Sequence, residues 1–246
     1  MLTIKKQQMG ALAERDFVAI TAAHLAAYFP RHRAVASGAG LRQVAARARE
    51  RAHVHGLASA RSATTLAELM CMLGGGFDED PQLPWASRAL TQPAPDEGAR
   101  IDRLHAIAMR HLDIVAPDAA GFQAAIAAAR AEPNAPIAAT DDAYARVTAL
   151  LSAHFPKRCS LLGAGAVTAV AERAVEQAQA CGAATLRGAV TLGGLAAALG
   201  SGFLDDPLVR PLGEALRDPR AADAPERVDS LLVALDRVAG AWSGLA

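Results

Sequence analysis

The sequence predicts an all-α fold built from two tandem copies of one helical unit. Three observations lead there. First, 52% of the 246 residues are hydrophobic but only 4% are aromatic, so the core must be aliphatic and rich in alanine. Second, alanine, leucine and arginine dominate the periodic stretches and all favour helix, while no run of β-branched or aromatic residues alternates with period two. Third, the chain matches itself when shifted by 126 residues, a period that signals an internal repeat.

The match is specific. Ala23-His-Leu-Ala-Ala-Tyr-Phe-Pro30 falls on Ala149-Leu-Leu-Ser-Ala-His-Phe-Pro156, and Gly74-Gly-Gly-Phe-Asp-Glu-Asp-Pro81 on Gly200-Ser-Gly-Phe-Leu-Asp-Asp-Pro207. Across residues 23–90 no gap is needed and 26 of 68 positions are identical, far above what composition alone gives, so this is read as a duplication. After one inserted residue Arg100-Ile-Asp-Arg-Leu104 meets Arg227-Val-Asp-Ser-Leu231. The expected organisation is a first unit over 1–116, a linker helix and Pro-rich connection over 117–139, and a second unit over 140–246.

Within each unit the elements follow from local chemistry. The first helix ends at Phe29-Pro30 or Phe155-Pro156, because proline disfavours a helical residue before it. Thr140 or Asp141 suits the N-cap of the second copy. The second helix carries Leu41, Val44, Ala45, Ala48, Ala52 and His55 on one stripe, matched by Val167, Val170, Ala171, Ala174, Ala178 and Cys181. Gly56 and Gly182 follow as left-handed C-terminal caps. Ser59 and Thr185 cap a third helix whose inner face is Leu66, Leu69, Met70 and Leu73, or Leu192, Leu195, Ala196 and Leu199. Asp80-Pro81 and Asp206-Pro207 read as an N-cap and N1 proline opening a short helix. Asp223-Ala-Pro-Glu226 reads as a capping box for the last helix. Pro117-Asp118 opens the helix between the units, and Glu132-Pro-Asn-Ala-Pro136 is the linker that follows.

Several function classes are disfavoured. Twenty-five basic and 25 acidic residues give zero formal charge, without the basic excess of a nucleic-acid binder. Cys71, Cys159 and Cys181 are few and widely spaced, which fits a reducing cytoplasm and no disulfide framework. The N-terminal residues carry no apolar signal region, and the uncharged stretch from Gly188 to Leu204 is short for a membrane span.

No catalytic, metal or cofactor site is expected. Gly163-Ala-Gly165 has the first two glycines of a dinucleotide fingerprint, but no strand precedes it and Thr168 replaces the third. His53 and His55 point about 200° apart on a helix and cannot share one ion. The repeated loop, with Gly76, Phe77, Asp80 and Pro81 matched by Gly202, Phe203, Asp206 and Pro207, groups carboxylates; helix capping accounts for them without chemistry. One asymmetry marks a candidate interaction face. The third helix has Ala67, Glu68 and Cys71 in the first unit but Gly193, Gly194 and Ala197 in the second. Paired glycines weaken a helix unless something packs closely on them, so this face is expected to be buried against the other unit or a partner.

The opening Met1-Leu-Thr-Ile-Lys-Lys-Gln-Gln-Met9, the helix ending in Tyr28-Phe-Pro30, and Leu73-Gly-Gly-Gly-Phe-Asp-Glu-Asp-Pro-Gln-Leu-Pro-Trp-Ala86 closing on Arg100-Ile-Asp-Arg-Leu104 resemble a family of small helical bacterial proteins encoded near type VI secretion spike and effector genes. The resemblance covers nearly all of the first unit. It implies a non-enzymatic adaptor, chaperone or immunity-type partner of a secreted effector, and it brings no catalytic residues. The alternative is a small-molecule or lipid binder with an aliphatic cavity where Met70-Cys-Met72 becomes Ala196-Ala-Ala198.

Overall fold

The computed structural model describes residues 6–115, 119–137 and 140–243. Among them are twelve α-helices, one 3-10 turn and one isolated β-bridge. Pro117 and Asp118 lie outside the described residues, as do the side chains of Thr140 and Asp141, so the helix start and cap expected there have no counterpart in the description. No single described helix is long and apolar enough to cross a membrane.

The first half comprises α1 (Lys6–Tyr28), α2 (Pro30–Val54), α3 (Ala60–Leu73), α4 (Pro84–Thr91) and α5 (Glu97–Val115). After α6 (Ala119–Ala131), the second half comprises α7 (Thr140–His154), α8 (Pro156–Leu162), α9 (Ala164–Ala180), α10 (Leu186–Leu199), α11 (Arg210–Leu216) and α12 (Ala224–Ser243). Each half has its own aliphatic core. Leu25, Leu41, Leu66, Leu69, Met70, Phe77, Ile101 and Leu104 centre the first, and Val147, Val170, Leu192, Leu195, Phe203, Leu212, Val228 and Leu231 the second.

The prolines that stop the first helices also start new ones. Pro30 and Pro156 sit at the first helical position, where the missing N–H is not needed. Each half therefore has a short helix that the sequence does not predict: residues 30–36, and α8. Each ends on a left-handed residue. Gly163 has φ 77° and ψ 164°; Ser37, 126 residues earlier, has φ 59° and ψ 175° and breaks α2 into two pieces. The expected caps form. Ser59 accepts from the Ser62 N–H and Thr185 from the Gly188 N–H, while Gly56 and Gly182 close the preceding helices at positive φ. Asp223 accepts from the Glu226 N–H, and Glu226 reaches back to the Ala222 N–H.

The segment between the halves packs with the second. Ala125, Ile126 and Ala129 of α6 enter its core. The chain leaving α6 lies along the loop before α10, with Ile137 N–H donating to Ala184 O and Leu186 N–H to Ala135 O. The loop before α3 is held differently, by the Glu97 carboxylate, which accepts from the Ala58 and Ser59 N–H groups and the Ser59 hydroxyl.

Candidate functional site

The repeated glycine loops of the two halves meet each other. Gly74 and Gly200 end α3 and α10 at φ 99° and 93°, a region closed to most side chains. A β-carbon on Gly74 would fall 2.5 Å from Leu199 O, and one on Gly200 would fall 3.2 Å from Leu73 O, so each loop runs against the helix end of the other half.

Two carboxylates close this contact reciprocally. Asp206 Oδ2 accepts from the Gly75 N–H at 2.7 Å, and Asp80 Oδ2 accepts from the Ser201 N–H at 2.7 Å. Their Oδ1 atoms accept from Leu208 and Gln82 N–H groups two residues onward, the Asx turn that an Asp-Pro pair favours. Asp80 Oδ1 also accepts the Ser201 hydroxyl, while Gln82 donates to Ala196 O and Ser201 Oγ. Asp80, Gln82, Ser201 and Asp206 are all buried. Burial pushes the Asp206 carboxyl above its usual range, against the pull of its two N–H bonds and of Arg47.

This corrects the capping assignment. Neither aspartate opens a helix: α4 begins at Pro84 after Leu83, and α11 at Arg210 after Val209. Pro81 and Pro207 lie in the turns, and Phe77 and Phe203 anchor each loop in its own core at 1% exposure. Gly76 and Gly202 sit within these turns; Gly202 precedes the 3-10 turn Phe203–Asp205.

Exchange continues at the edges of the clasp. Leu208 joins the first half's core, and Val35 packs on the second's. His32 lies 6.1 Å from the Trp242 ring of α12. On the opposite side α8 contacts α5, where His111 lies 5.4 Å from Trp85. Burial, reinforced by nearby Arg158, lowers the His111 pKa to about 4, so it is neutral at pH 7.

Gly193, Gly194 and Ala197 are buried as expected, but the glycines pack against α7 of their own half, not against the other half. A β-carbon on Gly193 would come within 2.4 Å of Val147 Cγ1, and one on Gly194 within 3.3 Å of Leu150 Cδ2. The close approach is a helix–helix contact inside the second half. At the positions 126 residues earlier, His24 Nε2 bonds Glu68 Oε1 at 2.6 Å and Thr21 meets Thr64 at 3.4 Å.

A buried polar group in the first half escaped the sequence reading. Asp78 accepts from Arg51 Nε at 2.7 Å and is bonded to His55 Nε2 at 2.8 Å; Arg51 also meets Glu79 at 2.6 Å. Burial raises the Asp78 carboxyl, but the His55 and Arg51 bonds outweigh it and hold its pKa below the usual value. His55, read as a stripe residue, thus turns to a carboxylate, and His53 is exposed. The corresponding positions are Gln177, Cys181 and Leu204, so repetition gave no signal for the group. Ser201 and Gln82 were missed for the same reason, since their counterparts are Gly75 and Leu208.

The remaining candidates separate. Gly163 joins α8 to α9 and Gly165 lies in the first turn of α9, with open space around both. Cys71 is buried, which pushes its thiol up to about 12. Among the described residues no group of three His, Cys, Asp or Glu side chains is placed to hold a metal ion. An open cleft over α11 and α12, reached by Gln43 of α2, mixes Arg210, Arg217 and Arg237 with Asp205, Glu214 and Asp229 and so favours neither sign of ligand. Comparison with protein-family models, curated proteins and solved structures finds no match to this chain.

Proposed function

We propose that this chain is a non-enzymatic protein-binding scaffold produced by an internal duplication, acting in the cytoplasm as an adaptor, chaperone or immunity-type partner of a type VI secretion effector. The observation that carries the binding reading is the surface of α1. Ile20 and Tyr28 are 70% and 72% exposed there, with half-exposed Phe17 on the same helix, leaving large apolar side chains open to water that a partner would cover. The non-enzymatic reading is supported by the carboxylates most suggestive of chemistry: Asp78, Asp80 and Asp206 are committed to Arg51, His55, Ser201, Gly75, Gln82 and Leu208. The duplication is supported by the matched caps at Ser59 and Thr185 and by the reciprocal bonds of Asp80 and Asp206. The secretion link rests on the family resemblance of the first half.

Co-expression of the full chain with the products of its neighbouring genes, followed by size-exclusion chromatography, tests the proposal. A complex that survives the column is expected with one of them. Free elution from all of them would contradict it, and a lipid or small molecule retained through purification would favour the ligand-binding alternative.

A further inference from the structure

The two halves differ in what lies over their third helices. In the second half α6 crosses α7 and α10, and its Arg130 reaches Asp236 of α12 at 2.6 Å. It seats Phe122, Ala125, Ile126 and Ala129, a stripe at i, i+3, i+4 and i+7, against the core. Val190 and Thr191 of α10 are fully buried, Gly194 is buried, and the Arg187 side chain is only 14% exposed.

In the first half no described helix covers the corresponding face. Thr64, Thr65 and Glu68 of α3 are half-exposed, and the Arg61 side chain is 66% exposed although it makes the same kind of pair, to Asp102, that Arg187 makes to Asp229. Ile20 and Tyr28 of α1 rim the opening. Ile20 stands where Arg146 approaches Glu132 at the exit from α6, and half-exposed Met109 of α5 stands where Asp236 receives Arg130.

We infer that the groove between α1, α3 and α5 is a helix-docking site for a protein partner, and that the partner presents an amphipathic helix with a small-residue apolar stripe like that of α6. The inference rests on the protein-binding reading above and names its surface. The molecule itself carries the template, since α6 fills the counterpart of this groove. The groove's polar residues fit reversible occupancy. Thr64 and Glu68 tolerate water when the groove is empty, whereas Val190 and Gly194 lie under a permanent cover. A partner is favoured over a second copy because the helix in this chain with that stripe is already seated in its own second half.

The test uses the full chain with ¹³C-labelled methionine methyls and, as probe, a synthetic peptide of residues 119–131. Saturable shifts are expected at Met72 and Met109, with Met70, which is fully buried in the core, unmoved. Thr65→Arg, which places a long cation in the groove, should abolish the shifts without lowering the melting temperature. Ile20→Asp, at an exposed rim position, should weaken binding at least tenfold and serves if the first variant folds poorly. Absence of shifts at millimolar peptide, or shifts that survive both variants, would overturn the inference. So would a concentration-dependent dimer that Thr65→Arg dissolves, because the occupant would then be a second copy. The two readings fail separately. An effector that co-purifies equally with wild type and Thr65→Arg removes the groove but keeps the binding function. An effector that co-purifies with neither removes the function, while the peptide titration still reports on the groove.

Discussion

Where α1 crosses α3, His24 meets Glu68 and Thr21 meets Thr64; where α7 crosses α10, the corresponding residues are Leu150, Gly194, Val147 and Val190. The positions correspond by the 126-residue shift, yet one seam is polar and the other apolar. Water access separates them. The His24 and Glu68 side chains are 32% and 28% exposed, so neither charge nor dipole is stranded. In the second half α6 closes the seam, and any polar side chain there would need a partner. The same contrast appears under the glycine loops. Asp78 is held by Arg51 and His55, whereas Leu204 is simply buried among apolar neighbours.

The reciprocal clasp should be the most sensitive part of the comparison, because both halves depend on it. Asp80→Ala strands the Ser201 N–H, the Ser201 hydroxyl and the Gln82 N–H, each buried and costing about 1–3 kcal/mol when unpaired. A loss of about 3–6 kcal/mol in a denaturant melt is expected, and Asp206→Ala should lose less because it leaves two such donors. If either change left stability untouched, the clasp would not join the halves.

Transplanting second-half chemistry into the first comes next. Asp78→Leu copies the residue found at 204, but it leaves Arg51 and His55 facing an alkyl chain. A loss of about 1–3 kcal/mol is expected at pH 7, less than for a fully buried pair because Arg51 keeps Glu79. The pH dependence sharpens the test. The Asp78 pKa is lowered on folding, so its contribution is present above 3.8 and is lost as pH falls through the lower folded value. Melts of the two proteins should therefore converge below that value. A constant gap down to pH 2 would mean that the charge of Asp78 is not what matters.

The smallest effect should be a gain. Ser37 holds φ 59° and ψ 175°, a region nearly reserved for glycine, where Gly163 stands in the second half. Ser37→Gly should stabilise by about 1 kcal/mol, the strain relieved less the entropy of a freer unfolded chain. Thermal melts check it, and a loss would show that the Ser37 bond to the Ala39 N–H outweighs the strain.

What was legible in the sequence was local. Helix periodicity, the caps at Ser59 and Thr185, and the stops at Gly56 and Gly182 depend on neighbours within a turn or two, and they appear as read. The short helices after Pro30 and Pro156 were missed because proline both ends one helix and begins the next. The clasp was missed for a different reason. The two Asp-Pro pairs are visible in the sequence, but Asp80 and Asp206 bond across to the opposite half, and local rules predict caps there. The glycine pair was correctly read as buried. Its cover differs from the expected one, the other half or a partner, and is α7 of the same half, because helix propensity says that something must pack there and not which helix does.

The proposed duplication implies that the two halves share one frame whose seam pairs exchange as units. The most direct test is a double-mutant cycle on α7 and α10, using Leu150→His, Gly194→Glu and the two together. Alone, Gly194→Glu sets an unpaired carboxylate against Leu150 and should cost about 3–5 kcal/mol; Leu150→His should cost about 2–4 kcal/mol. Together they recreate the His24–Glu68 pair, so the double variant should be at least ~1 kcal/mol more stable than the sum of the singles predicts. Strict additivity, or a double variant worse than additive, would mean that the two seams are not versions of one contact.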